Sequence, residues 1–275
     1  MDGDEGGRIS FIVTGLIAGG DSSRIGLSES VGCVGARGLY VKATSWRRRC
    51  THAKYDLDFA TLNGVGSGGP EAKAYLLCAE CEERFNRNGE SPVFSWIAPK
   101  ALKYALPLLR RLRESSPRAH YESHSRFSGR DIGIDTDAFA YFALSFVGRA
   151  AVAEWPLPDG GLTMPLDLGT FEEPIGRYLM GETGLPPNIA VLVCVGTDEE
   201  SRRSQYIPAP SDDQSLNAFG FLVRGVYFGV FLDPNLPDVL RDDSCTSPFK
   251  AIFLMNRRAL TIGTFERMVR RHVGT

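Results

Sequence analysis

The chain has 275 residues, of which 43% are hydrophobic and 23% are charged, a balance that excludes disordered, collagenous and coiled-coil classes. Its 31 basic and 33 acidic residues give a formal net charge of −2, so a nucleic-acid site would have to be a local basic patch. No apolar run reaches the roughly 18–20 residues that cross a bilayer, so we expect no membrane partner.

The first apolar run, residues 9–18, predicts a buried strand followed by a glycine turn. A secretory signal carries a basic segment before such a run, whereas Asp2, Asp4 and Glu5 precede this one. We therefore expect a cytoplasmic protein whose six cysteines are reduced thiols.

Cys78 and Cys81 form a Cys-x-x-Cys pair at the start of a short helix, predicted over residues 82–87 and ended by Asn88 and Gly89. Two thiolates at this spacing can hold one zinc ion at about 2.3 Å each, but zinc takes four ligands, so the pair is half of a site. A chance spacing and a redox pair are the alternatives, and a redox pair expects a preceding strand within a βαβ unit.

A further helix is predicted over residues 101–113, beginning or kinking at Pro107 because proline lacks the N–H that a helix interior uses. Its basic residues, and a second basic cluster beside Cys50, are candidates for phosphate contacts, with a chance basic surface as the alternative. The candidates are Arg47, Arg48, Arg49, Lys100, Lys103, Arg110 and Arg111. His120 and His124 lie in a polar segment that we interpret as a solvated loop or helix face.

The second half of the chain begins with an apolar helix that starts after Asp135 or Asp137 and stops before Pro156. Because it is apolar on nearly all sides, we predict that it is the central buried helix. Arg149 within this helix must be paired if it is buried. Its candidate partners are Glu154, Glu172 and Glu173.

Short strands dominate the last third of the chain. A capping box from Thr170 to Glu173 first opens another helix, which ends at Gly181. Arg224 and Gly225 then mark a hairpin turn between two β-branched or aromatic runs. The predicted strands are residues 189–195, 219–223, 226–232 and 251–254, and a short basic helix follows at 264–272. Helices followed by antiparallel strands indicate an α+β domain.

The segment around the cysteine pair resembles the second knuckle of HNH-type (ββα-metal) endonucleases, where Leu-Cys-x-x-Cys precedes Asn or Glu and a basic residue. Residues 77–87 (LCAECEERFNR) are similar to bacterial HNH endonuclease-like proteins, and residues 137–151 and 168–179 match the second half of that group. The resemblance covers about residues 71–260.

The resemblance implies an α+β protein in two parts. Residues 1–95 form a small, degenerate HNH-like zinc module, and residues 96–275 form a helical and antiparallel-β domain. It also implies a structural zinc ion at Cys78 and Cys81, and hydrolysis of a phosphodiester bond in DNA or RNA. That reaction needs a histidine base and a catalytic divalent metal such as magnesium.

The chain departs from this family in residues 1–70, which carry neither the first Cys-x-x-Cys nor the histidine motif. Cys50 and His52 are the upstream pair that can complete the zinc ligands, and His52 is the candidate base. We therefore expect a catalytically degenerate module, with divergence or a shifted reading frame as explanations for residues 1–70. The alternative is a non-catalytic, zinc-stabilised interaction protein that binds nucleic acid or a protein partner.

Overall fold

The structure is a computed structural model with an α+β fold, in which helices pack on a seven-stranded mixed sheet. The described residues are 59–60, 71–72, 79–98, 106–121, 123–152, 164–197, 206–211 and 217–255. The strand predicted within residues 9–18 and the helix predicted over residues 264–272 lie outside them. Within these ranges, no helix combines the length and the apolar character that crossing a membrane requires.

The helices are concentrated in the first part of the described chain. They are α1 (Ala79–Phe85), a π-helical segment (Asn86–Glu90), α2 (Ser91–Ile97), α3 (Pro107–Arg113), α4 (Thr136–Val152), a 3-10 turn (Gly169–Phe171), α5 (Glu172–Leu179) and α6 (Asp238–Asp242). Pro107 begins α3, as the sequence predicted, because the first turn of a helix does not use its N–H.

Two sheets are present in the described residues. The short strands β1 (Phe59–Ala60) and β2 (Glu71–Ala72) pair with each other. The large sheet has the order β3-β4-β9-β5-β8-β7-β6. Its strands are β3 (Ala119–His120), β4 (His124–Ser128), β5 (Ile189–Gly196), β6 (Tyr206–Pro210), β7 (Ala218–Val223), β8 (Val226–Leu232) and β9 (Ala251–Met255).

The expected order of helices followed by antiparallel strands is wrong in two respects. Strands β3 and β4 precede the central helix α4, and β5 pairs in parallel with β9, although its other neighbour β8 is antiparallel. A parallel pair needs a long crossover connection, which the chain between β5 and β9 supplies. The sheet is therefore mixed.

Strand β5 lies in the middle of the sheet and is buried along its whole length. Val191 and Val193 face the main core with the helices, while Leu192 and Cys194 belong to a smaller cluster with Leu240 of α6. This alternation follows from the two-residue period of a strand. Cys194 is fully buried, as the sequence predicted, and burial raises the pKa of its thiol.

Helix α4 is the centre of the main core, as predicted from its apolar composition. Asp135 is its N-cap, because its Oδ1 accepts hydrogen bonds from the backbone N–H groups of Asp137 and Ala138 at 3.1 and 3.2 Å. Phe142 on α4 contacts the rings of Phe221 and Phe228 on the sheet.

The turn between β7 and β8 is formed by Arg224 and Gly225, as predicted. Both residues have positive φ, 50° and 80°, which is the requirement of the type I′ turn that matches strand twist. The predicted capping box at Thr170 is wrong, since α5 begins only at Glu172 and no side chain caps it. Gly181, with φ 73°, follows that helix.

The predicted helix end at Asn88 and Gly89 is also wrong. The chain remains helical through the π-helical segment into α2. Gly89 serves a different purpose there, because a Cβ at this position would lie 3.0 Å from the backbone of Phe142. The glycine therefore allows the segment to approach α4 closely.

Residues of α1 and α2 share the main core with α4 and α5, including Phe85, Phe94 and Ile97. A boundary between residues 95 and 96 would cut through α2. The proposed division of the chain into a small module and a larger domain stays a prediction, because residues 1–58, 61–70 and 73–78 lie outside the described part of the chain.

Candidate metal centre

Cys81 lies in the first turn of α1, three residues after Cys78, and its side chain is only 2% exposed. It belongs to the main hydrophobic core together with Phe85 and Tyr141. The sequence places it there because Cys81 and Phe85 are four residues apart and so share one helical face. One thiol of the cysteine pair is thus built into the core. Cys78 lies outside the described residues.

The end of α5 packs directly against Cys81. The Met180 Sδ atom lies 3.9 Å from the Cys81 Sγ atom. Arg84 donates a hydrogen bond from Nη1 to the Met180 carbonyl, and Tyr141 donates one from its hydroxyl to the Leu179 carbonyl at 2.7 Å. These bonds fix the end of α5 against α1 and α4. Nothing in the sequence marks Met180, because its position depends on this tertiary contact.

A buried ion pair lies next to Phe85 of α1. The Arg149 Nη2 atom is 2.5 Å from Glu90 Oε1 and 3.4 Å from Glu82 Oε2. Arg149 and Glu90 are 6% and 4% exposed, while Glu82 reaches solvent. The sequence indicated that Arg149 needed a partner, but Glu90 was not among the candidates, because only the π-helical segment brings it close.

Glu90 and Tyr141 in this region both have raised pKa values. Burial raises the pKa of Glu90 above 4.5, although the neighbouring Arg149 guanidinium opposes the shift. Burial also raises the pKa of Tyr141 to about 12, so its hydroxyl stays protonated and can donate to the Leu179 carbonyl. The Arg149 guanidinium lies 5.0 Å from the ring centroid of Phe85, which adds a cation–π contact.

His120 and His124 lie on the β3–β4 hairpin, and the predicted loop or helix face is wrong for this segment. His120 pairs with Ser125, so it lies on the sheet face opposite to His124. The His124 ring is buried and stacks on Tyr121, with 4.5 Å between the ring centroids. The two imidazoles therefore do not form a shared ligand pair.

The basic residues of α3 are exposed, but their guanidinium groups also contact the protein. Arg110 Nε is 2.7 Å from Glu114 Oε1, and Arg111 Nε donates a 2.9 Å hydrogen bond to the Ile132 carbonyl. Each guanidinium has five N–H donors, so these contacts leave others for phosphate oxygens. Arg110 and Arg111 thus remain compatible with nucleic-acid contacts.

Most of the predicted site residues lie outside the described part of the chain. They are Arg47, Arg48, Arg49, Cys50, His52, Cys78, Lys100 and Lys103. Among the residues that the structure does describe, no three His, Cys, Asp or Glu side chains form a group that could hold a metal ion. Of the proposed zinc ligands, Cys81 is the one that the structure describes, and its side chain is buried.

Comparison with protein-family models, with curated proteins and with solved structures gives no match to this chain. The HNH resemblance rests on residues 77–87 and on the two downstream segments alone.

Proposed function

We propose that this chain is a cytoplasmic, metal-stabilised protein of HNH kinship that binds nucleic acid without cleaving it. In this proposal, Cys78 and Cys81 hold a structural zinc ion, and Cys50 and His52 complete its ligands. The observation that carries the proposal is the position of Cys81, which is buried in the first turn of α1 and packed in the main core.

A structural role for the metal follows from that position. An ion bound by Cys81 and by upstream residues would tie the first part of the chain to the core formed by α1, α4 and α5. Because the unfolded chain has no preformed site, the free energy of metal binding would add to the free energy of unfolding. A catalytic ion needs an open coordination position, and a buried thiol in an apolar core supports the structural role better.

The nucleic-acid partner is supported by the exposed arginines of α3. Arg110 and Arg111, together with the basic residues at 47–49 and at Lys100 and Lys103, would contact phosphate oxygens. Each phosphate contact releases counterions, so binding should weaken as the salt concentration rises.

Hydrolysis of the nucleic acid is the alternative outcome. An HNH reaction needs a histidine to deprotonate the attacking water and a divalent metal such as magnesium to stabilise the developing charge. The candidate base is His52, upstream of the cysteine pair. The two described histidines, His120 and His124, lie on opposite faces of the sheet and so do not act together. Binding of a protein partner instead of nucleic acid is the third candidate function.

The test uses the purified full chain with labelled single-stranded DNA, double-stranded DNA and RNA, at several salt concentrations and with added Mg²⁺ or Mn²⁺. We expect salt-sensitive binding that is weakened in R110Q/R111Q, and no cleavage. The matched control is R177Q, which changes another exposed arginine with an acidic neighbour, Glu182. Binding that does not change with salt concentration, or that R177Q weakens as much as R110Q/R111Q does, would contradict the proposed surface. Metal-dependent cleavage that is lost in H52A would contradict our proposal and support hydrolysis of the nucleic acid.

A further inference from the structure

The β3–β4 hairpin carries an exposed aromatic side chain at its turn, and a second one lies beside β4. Tyr121, between the two strands, is 47% exposed, and Phe249, shortly before β9, is 60% exposed. Each ring has a planar neighbour. The Tyr121 ring stacks on His124 with an angle of 22° between the rings, and the Phe249 ring centroid lies 5.5 Å from the Arg126 guanidinium carbon. Both rings therefore offer apolar area to a ligand.

These side chains and their neighbours form a row on one side of the sheet, which we call the aromatic row: Tyr121, His124, Arg126 and Phe249. His124 and Arg126 are two residues apart on β4, so they face the same side of the sheet, about 7 Å apart along the strand. Arg126 also pairs with Asp243, with 3.1 Å between Nη1 and Oδ1, and this bond holds the guanidinium beside Phe249. The row thus presents several planar groups close to the edge of the sheet.

The aromatic row is connected to the proposed phosphate-binding surface of α3 by contacts within the protein. Arg111 on α3 donates a hydrogen bond to the Ile132 carbonyl, in the turn after β4. Asp131 in the same turn accepts a 2.6 Å hydrogen bond from Nε of Arg118, at the start of the hairpin. Arg118 is 68% exposed and lies three residues before Tyr121, about 10 Å along an extended chain. Positive charge and exposed rings therefore meet at the same edge of the sheet.

We propose that this edge binds a single-stranded nucleic acid, with bases stacked on Tyr121 and Phe249 and with phosphates at Arg118 and at the arginines of α3. Arg118 and Tyr121 flank β3, an edge strand, and are an odd number of residues apart, so they lie on opposite faces. A ligand that contacts both must pass around the edge. A single strand is flexible and exposes the faces of its bases, whereas a duplex is stiff and stacks its bases on each other. This inference rests on the proposed function, because it specifies which form of nucleic acid the chain prefers.

The test measures, by fluorescence anisotropy, how the full chain binds a labelled single strand and a duplex of the same sequence. We expect the native chain to bind the single strand more tightly. Tyr121→Ala and Phe249→Ala should each weaken single-strand binding at least about fivefold, through the loss of one base–aromatic stack, and should leave duplex binding unchanged. Tyr121→Phe keeps the ring and should bind as the native chain does. Met164→Ala is the matched control, because Met164 is 82% exposed and lies outside the aromatic row.

A single strand without bases separates stacking from a general loss of affinity. It keeps the phosphates, so the native chain and both alanine variants should bind it equally. Unchanged affinity of both alanine variants for the ordinary single strand would overturn the inference, and so would an equal loss with the duplex or with the strand that lacks bases.

The proposed function is tested separately, because R110Q/R111Q should weaken the binding of single strand and duplex alike. Normal binding by R110Q/R111Q, together with a loss of single-strand affinity in the alanine variants, would contradict the α3 surface and support base stacking at the aromatic row. A native chain that binds neither nucleic acid would overturn both.

Discussion

The β7–β8 hairpin and the segment from α1 to α2 both pack on helix α4, but their contacts differ in chemistry. The hairpin presents Phe221 and Phe228, whose rings stack with centroids 4.8 Å apart. The helical segment instead presents a glycine backbone and the carboxylate of Glu90, which pairs with Arg149. The strength of an apolar contact depends on the area buried and the fit of the side chains, whereas the buried ion pair depends on both partners being present. The candidate metal centre lies in the second region.

The largest expected effect concerns the apolar side of this comparison. Phe228 is fully buried, so Phe228→Ala should lower the free energy of unfolding by about 4 kcal/mol through lost burial and the cavity left behind. Urea denaturation of the full chain measures the change. Phe249→Ala is the control, because Phe249 is 60% exposed, and a similar loss there would contradict the packing described.

The next effect concerns the ion pair. Arg149→Met should cost about 3 kcal/mol, because it leaves the Glu90 carboxylate buried without its guanidinium partner. The double variant Arg149→Met/Glu90→Gln removes both charges and should recover part of this loss. If the double variant is as unstable as the sum of the two single variants, the two side chains do not interact as described.

The close approach of the π-helical segment gives a smaller effect. Gly89→Ala should cost about 2 kcal/mol, because the added methyl group would press on the backbone of Phe142 and shift α4 or the segment. Gly184→Ala is the matched control, since a Cβ there meets nothing within 4 Å. Thermal melting of both variants provides the comparison, and equal stability would contradict the tight contact.

The smallest effect is a pH dependence from Glu90. Its pKa is raised above 4.5 in the folded chain, so the folded state binds this proton more tightly than the unfolded state. Its contribution to stability is complete below pH 4.5 and is lost as the pH rises through the folded pKa. Urea denaturation over a pH series should show this slope in the native chain and a weaker slope in Glu90→Gln. Identical slopes would contradict the assignment.

The parts of the fold that sequence could predict are those decided by neighbouring residues. The capped helix α4, the strand β5 and the turn at Arg224 and Gly225 each follow from local spacing and backbone preference. Strand β6 was not predicted. The helix continues past Gly89 because the packing against α4 outweighs the local tendency of Asn-Gly to end a helix.

The candidate site was predicted only in part for the same reason. Cys81 carries a recognisable spacing with Cys78, but nothing in the sequence links it to Met180, 99 positions away. Arg149 was recognisable as a charge in an apolar helix, whereas Glu90 reaches it only through the π-helical turn. Long-range contacts of this kind leave no periodic signal in one sequence.

The zinc content of the purified full chain tests the central claim most directly. We predict about one zinc ion per chain by elemental analysis, reduced to background in Cys78→Ser and in Cys81→Ser and unchanged in Cys33→Ser. The metal centre would be contradicted if the native chain held no zinc even after reconstitution, or if neither Cys78→Ser nor Cys81→Ser lowered the zinc content.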